Sequence, residues 1–359
     1  MNPRRDAPLR IAMLAPPWIP VPAPAYGGIE EVVRLLCEGL TARGHRVTLF
    51  APPGSESCAE VVHVLEEPQP EEIEKAKYEV DHVARVFGYI DAAARRGDPF
   101  DVIHDHTGHV ALAMADRVSA PLVHTLHGPF DDAACRFYAR HGAKALIVAI
   151  SHAQLDSAPD AMGGGRVVHN PIETGEWPFQ AEKEDFLLWI GRMSPDKGPH
   201  RAISAARDAG ARLVLAGPVQ PGQERFFAEE VEPHLGEDGI EYIGEADSAR
   251  KRALYLGARA LLMPIRWREP FGLVMVEAMA CGTPVIAFPE GSAPEVVRDG
   301  ETGFIVDDEH EMAHAVERVA ELDPAACRSC CEERFGVDAV VERYEEVYRA
   351  AVARGRVAA

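Results

Sequence analysis

Short, mostly apolar segments, set off by polar, glycine or proline residues, recur along the chain at residues 9–15, 47–51, 101–104, 121–124, 145–150, 186–190, 212–217, 240–243 and 260–264. A continuous apolar run predicts a strand buried on both faces, the habit of parallel sheets. Helical spacing fills the intervals. Val32, Val33, Leu36 and Leu40 share one face of a helix over residues 29–42, and Gly44 stops it before the next strand. Strand, glycine turn, helix and strand make a Rossmann-type opening, and the theme restarts after residue 184. Residues 71–96 are charged and broadly amphipathic, which predicts one or two surface helices. Residues 338–351, with Val341, Tyr344, Val347 and Tyr348 on one face, predict a terminal amphipathic helix. The pattern divides the chain into a Rossmann-like domain over 1–172, a linker over 173–183 with Pro178, a second Rossmann-like domain over 184–337, and a terminal helix over 338–359.

One helical stretch differs from the rest. From Leu273 to Cys281 every residue is apolar except Glu277, Gly282 follows as a stop, and residues 284–288 read as a short buried strand. A helix apolar all round is buried, and a buried carboxylate without a partner costs several kcal/mol, so Glu277 requires a hydrogen-bonding partner. A second acid, Glu269, stands just before Pro270, Phe271 and Gly272 at the mouth of the same helix. An acid at a helix entrance with another inside suits a polyhydroxylated ligand. The same residues also fit a buried glutamate satisfied by an arginine or a backbone amide.

At 359 residues the chain is long enough for two cores, and 47% apolar with 26% charged residues is ordinary for a globular protein. No run approaches 18 apolar residues, so no transmembrane span is expected. The opening stretch has arginines and a short apolar segment broken by prolines, which reads as a first strand rather than a signal peptide. The net charge of −20, from 57 acidic and 37 basic side chains, disfavours nucleic acid and anionic membrane surfaces. Seven cysteines are odd in number. Cys327 and Cys330 form a C-x2-C beside Cys331, but no second pair completes a zinc site, so reduced thiols and a cytoplasmic location are expected.

Other candidate chemistry lies at strand ends. The proline-rich loop after the first strand ends in Tyr26-Gly27-Gly28 at a helix start, where paired glycines let backbone amides approach an anion or simply make the turn. No GxGxxG is present, which argues against a nicotinamide dehydrogenase. His104, His106 and His109 invite a metal reading, yet His104 and His106 share a strand face while His109 falls in the following turn, with no obvious fourth ligand. His127 and Gly128 follow a strand, as ligand residues of open α/β sheets do. Gly191, Arg192, Lys197 and Gly198 place two cations between glycines ahead of a helix starting near Pro199, a plausible phosphate clamp.

The segment Glu269-Pro-Phe-Gly-Leu-Val-Met-Val-Glu277, followed by Ala-Met-Ala-Cys-Gly-Thr-Pro-Val, resembles the E-x7-E signature of the retaining glycosyltransferases of family 4. Gly291-Ser-Ala-Pro-Glu295-Val-Val and Gly300-Glu-Thr-Gly303-Phe fit the same pattern. The resemblance implies an α/β fold of GT-B architecture, two Rossmann-like domains with parallel sheets facing across a cleft, the terminal helix bracing the first. It implies transfer of a hexose from a nucleotide diphosphate sugar, UDP-hexose before GDP-mannose, to a hydroxyl of a small-molecule, sugar or lipid-linked acceptor. The acidic balance leans to a soluble acceptor. Arg192 and Lys197 would hold the donor diphosphate, Glu277 the ribose and Glu269 the sugar hydroxyls. Phe271, Gly272 and Leu273 would bring backbone amides to sugar and phosphate. Gly27, Gly28, Gly191 and Asn170 would line the donor, and His127 would stand beside the sugar's anomeric centre. No cofactor and no metal are expected: the chain has no Asp-x-Asp, and the two cations supply the charge a metal otherwise would. A nucleotide-sugar 2-epimerase of the same architecture is the alternative enzyme, distinguished by needing no acceptor. A non-catalytic sugar-nucleotide binder would bind donor without turnover.

Overall fold

The computed structural model describes residues 7–24, 27–73 and 75–358. The chain divides into two compact units, one of residues up to Pro171 together with those from Val337 onward, the other Ile172–Gly336.

The first unit carries a seven-stranded sheet in the order β3-β2-β1-β4-β5-β6-β7. Its strands are β1 Arg10–Leu14, β2 Arg46–Phe50, β3 Glu60–Val62, β4 Val102–Asp105, β5 Leu122–Leu126, β6 Leu146–Ala149 and β7 Arg166–Val167. All pairings are parallel. The register explains why β1 is apolar without alternation. Ile11 and Met13 join a core with Leu36, Val341 and Tyr344 on one face, while Ala12 and Leu14 join Val83, Val86 and Phe87 on the other. The first face is covered by the helices Gly28–Ala42 and Val337–Ala358. They cross at Gly39, where a Cβ would come within 2.6 Å of Val341 Cγ2 and 2.8 Å of Val337 Cγ1. Near this crossing, buried His45 Nε2 lies 2.8 Å from Glu345 Oε1. The other face is covered by the helix Ala76–Arg95, preceded by a single 3₁₀ turn at Pro70–Glu72.

The second unit carries a six-stranded parallel sheet in the order β10-β9-β8-β11-β12-β13. Its strands are β8 Leu187–Ile190, β9 Leu213–Ala216, β10 Ile240–Tyr242, β11 Ala260–Met263, β12 Val285–Ala287 and β13 Gly303–Ile305. The segment read as a linker, residues 173–183, lies in this unit. The Arg328 guanidinium donates to the carbonyls of Thr174 and Trp177 at 2.8 Å and of Ala280 at 2.7 Å, which ties the segment down.

In each sheet the strand order reverses once, between β1 and β4 in the first unit and between β8 and β11 in the second. Loops leaving the carboxyl ends of strands at such a switch point diverge and leave a crevice, which is where open α/β sheets take ligands.

Candidate functional site

In the second unit, the loops after β8 and β11 bring the predicted clamp residues together. Gly191 to Gly198 leads from β8 into the helix Pro199–Asp208, with Gly198 as its N-cap in the left-handed region at φ 74° and Pro199 as its first residue. A Cβ at Gly198 would stand 2.3 Å from the Pro264 carbonyl oxygen. Glycine is therefore what lets the β8 loop approach the end of β11. Next to it, Lys197 Nζ lies 2.5 Å from Glu269 Oε2 and 4.4 Å above the Trp267 ring. Both side chains are mostly covered, with 19% of Lys197 and 12% of Glu269 exposed. Arg192 is held loosely: it is half exposed, 3.3 Å from Gln220 Oε1 and 3.9 Å from Asp196 Oδ2.

Glu269 is positioned from behind by backbone. Ser292 N–H donates to its carbonyl at 3.0 Å, and a Cβ on Gly291 would come within 2.3 Å of that oxygen and 2.4 Å of the Glu269 nitrogen. Ser292 Oγ donates to the Phe271 carbonyl at 2.7 Å, and the buried Phe271 ring meets Phe335 edge-on. Together these contacts fix the turn that carries Glu269, Phe271 and Gly272. Gly272, at φ 76°, is the N-cap of the helix Leu273–Ala280 and offers no side-chain cap. The first N–H groups of a helix have no acceptor within it, so those at Leu273 and Val274 are available to an oxyanion.

Glu277 lies on that helix, and its partners come from a neighbouring one. Lys251 Nζ donates to Glu277 Oε1 at 2.8 Å and Tyr255 Oη to Oε2 at 3.0 Å, both from the helix Ser248–Gly257. The carboxylate keeps 12% of its surface exposed. The helix Leu273–Ala280 is buried over Met275, Val276, Ala278, Met279 and Ala280, while Leu273, Val274 and Glu277 reach partial exposure. Lys251 and Tyr255 escaped the sequence reading. Their helix, SARKRALYLG, has no apolar face strong enough to announce itself, and the remaining signal was their i, i+4 spacing.

In the first unit, Gly27 is the N-cap of the helix Gly28–Ala42, and a Cβ there would come 2.5 Å from Ala23 Cβ and 2.7 Å from Glu30 Oε2. Glu30 and Glu31 already place acid in the first turn, and burial raises the Glu30 carboxyl above its ordinary range. An anion arriving at this helix start would meet those carboxylates. Tyr26 lies outside the described residues. Asn170 is buried, and its Oδ1 has no hydrogen-bond partner among the described residues.

At the ends of β4 and β5 four histidines sit side by side. His106 Nδ1 and His127 Nε2 are 2.8 Å apart with rings stacked at 5.1 Å, and His106 Nε2 lies 3.3 Å from His104 Nδ1. His124 Nδ1 bonds Asp105 Oδ2 at 2.6 Å and its Nε2 bonds Tyr138 Oη at 2.7 Å. Burial first, and His124 second, push the half-buried His127 down to about 3. Burial, with the neighbouring histidines second, holds His104 and His106 well below the usual histidine range. His109 sits apart from this row, packed edge-on against Phe137. Among the described residues no three His, Cys, Asp or Glu side chains converge as a metal site would require. Of the cysteines, Cys327, Cys330 and Cys331 are free thiols buried in the second unit.

The structure thus groups Lys197 with Glu269, places Gly191, Arg192, Phe271, Gly272 and Leu273 on the adjoining loops of the same sheet, and gives Glu277 its own partners there. Gly27, Gly28, His127 and Asn170 belong to the first unit.

Comparison with known proteins bears on what such a sheet pair does. The family described as glycosyl transferases group 1 matches residues 175–331, and Glycosyltransferase Family 4 matches residues 26–176. A glycogen synthase of Mycobacterium tuberculosis is 28% identical over 375 residues, covering 89% of this chain and 88% of that protein. A D-inositol 3-phosphate glycosyltransferase of Nocardioides sp. is 28% identical over 378 residues, covering 88% and 82%. Among solved structures, AviGT4, a glycosyltransferase involved in avilamycin A biosynthesis, superposes with a TM-score of 0.71 at 27% identity over 96% of this chain and 98% of that one. Sucrose-phosphate synthase from Thermosynechococcus elongatus gives 0.74 at 22% identity over 96% and 99%, a likeness of fold.

Proposed function

The chain belongs to the glycosyltransferases of family 4 and has their GT-B fold, and from that premise we propose that it transfers a hexose from a nucleotide diphosphate sugar, UDP-hexose first, to a hydroxyl-bearing acceptor with retention of anomeric configuration. The observation that carries the donor-site reading is the Lys197–Glu269 pair, 2.5 Å apart at the switch point of the second sheet. A lysine and a glutamate that cover each other in the free protein become an anion ligand and a hydroxyl acceptor once a sugar diphosphate separates them.

Each remaining residue then has a chemical task. Lys197 and Arg192 bind the diphosphate and stabilise the charge that develops on it as the glycosidic bond breaks, the electrostatic contribution that usually dominates such catalysis. Backbone N–H groups at Leu273 and Val274 add donors at the helix start. Glu269 accepts from sugar hydroxyls. Glu277, held by Lys251 and Tyr255, accepts from the ribose hydroxyls, since one carboxylate has lone pairs for both. His127 and Asn170 are assigned to substrate hydroxyls from the first unit. No metal is assigned to the chemical step, because Lys197 and Arg192 supply positive charge where the diphosphate is proposed to bind. Among the described residues no helix is long and apolar enough to cross a membrane. The net charge of −20 favours an acceptor met in solution over one at an anionic lipid surface.

The test is a thermal-shift screen against UDP, GDP, ADP and their sugars, followed by mass-spectrometric acceptor screening with the best donor in EDTA. A shift with one nucleotide sugar and a glycosylated product formed without metal are expected. No stabilisation by any of them, or transfer that depends wholly on added magnesium or manganese, would overturn the reading.

A further inference from the structure

The histidine row in the first unit ends on the terminal helix. Tyr348 Oη lies 2.7 Å from His104 Nδ1, and on the other side of that ring His104 Nε2 lies 2.8 Å from Thr125 Oγ1, itself 3.0 Å from Tyr344 Oη. Tyr344, Tyr348, Thr125, His104 and His106 are all buried. The position of each proton follows from satisfying these groups in order.

Tyr348 is the place to start. Its hydroxyl has His104 Nδ1 as its partner among the described residues, and burial keeps it protonated by raising it well above the usual tyrosine range. A buried O–H must donate, so it donates to His104 Nδ1. That nitrogen is then an unprotonated acceptor, and the neutral His104 carries its proton on Nε2, donated to Thr125 Oγ1. The second ring facing His104 Nδ1 is His106. The one lone pair of that nitrogen is already engaged by Tyr348, so His106 makes no full second bond there. A bare Nε2 would nevertheless set two nitrogen lone pairs against each other across the 3.3 Å gap, and His106 therefore presents Nε2–H. A neutral His106 protonated at Nε2 has a bare Nδ1, so the 2.8 Å contact to His127 is donated by His127 Nε2–H. His127, neutral in its turn, is left with an unprotonated Nδ1.

We propose that Tyr348 is a positioning residue: through His104 and His106 it holds His127 in the tautomer protonated at Nε2, leaving Nδ1 as the hydrogen-bond acceptor for a substrate hydroxyl. The substrate contact rests on the reading of His127 given above; the relay itself rests on the ring contacts alone. A hydroxyl acceptor discriminates substrates, because a sugar lacking that hydroxyl leaves the nitrogen unpaired. The terminal helix thereby takes part in function from three residues away, beyond covering the sheet.

Tyr348→Phe removes the donor at His104 Nδ1. The row then relaxes to the opposite sense, with Nδ1–H on His104 donating to His106 and Nδ1–H on His106 donating to His127 Nε2. Thr125→Val, which leaves His104 Nε2–H without an acceptor, pushes the same way and serves if the tyrosine variant folds poorly. Long-range proton–nitrogen spectra of protein labelled with nitrogen-15 histidine report the tautomer of each ring, with a His127→Asn sample assigning its signals. The wild-type protein is expected to show His127 protonated at Nε2. Either variant is expected to populate the Nδ1–H form and lower kcat/KM roughly five- to tenfold, the size of one neutral hydrogen bond, with free nucleotide binding unchanged. A wild-type His127 protonated at Nδ1, or a tautomer indifferent to both variants, would overturn the relay. A tautomer that flips with kcat/KM unchanged would overturn the substrate contact, and with it the role given to His127, while the relay stood.

Discussion

Lys197 and Arg192 share a task in the proposal but not a setting. Arg192 is half exposed and lightly bonded, so its removal takes away a ligand contact and little else. Losing one charge-assisted hydrogen bond costs about 1.5–3 kcal/mol, roughly 10- to 150-fold in rate. Lys197→Ala removes a similar contact and also strands the largely covered Glu269 without its partner. Steady-state turnover should therefore fall at least about tenfold in Arg192→Ala and further in Lys197→Ala, with both proteins folded by circular dichroism. Near-normal turnover in either would sink its place in the clamp. Both residues stood out in the sequence as cations between glycines. Their neighbours did not: nothing in the spacing announces that Lys197 pairs with Glu269, 72 positions away, because that contact is made by the sheet bringing two loops together.

The elements that were legible are those whose pattern reports their own surroundings. β6, β8 and, after Arg10, β1 are unbroken apolar runs because each is buried on both faces, and the helix Gly28–Ala42 shows its stripe because one side lies on the core. Ser151, directly after β6, caps the short helix His152–Leu155 by accepting from Gln154 N–H at 3.0 Å. Elements whose burial is partial or borrowed stayed hidden. β3, β7 and β13 are edge strands of two or three residues, too short for any period to appear. The helix Ser248–Gly257 carries three cations and a thin apolar content, yet it supplies the two residues that satisfy Glu277. That a buried glutamate needs a partner was readable from the chain alone; which residues meet the need depends on how the elements pack.

At the scale of the whole molecule, the buried histidines make acid the natural stress. His82 is pushed down to about 4 and His127 to about 3, in each case by burial first, and His104 and His106 lie well below the ordinary value. These groups are neutral in the folded protein and take protons readily only when unfolded. Their contribution is fully present above about pH 6.5, the ordinary histidine value, and is lost as pH falls from there towards 4 and 3. Each such histidine costs about 1.4 kcal/mol per pH unit in that window. Glu30 and Glu79, raised by burial, act in the opposite sense, but they are two against four. Differential scanning fluorimetry at constant ionic strength should show the melting temperature falling steeply between pH 6.5 and 4. A flat profile there would mean that the row is solvated or charged in the folded state.

The central claim is that the second unit reads a nucleotide sugar with two separately supported glutamates, and calorimetric titration of the two variants tests it most directly. The ligands are the nucleoside diphosphate that stabilises the protein best and its hexose conjugate. Glu277→Gln should weaken the free diphosphate and the conjugate alike, about tenfold or more, because ribose is present in both. Glu269→Gln should leave the free diphosphate within about twofold of wild type and lose only the extra affinity that the sugar adds. The reverse pattern, or wild-type affinity for both ligands in both variants, would contradict the account.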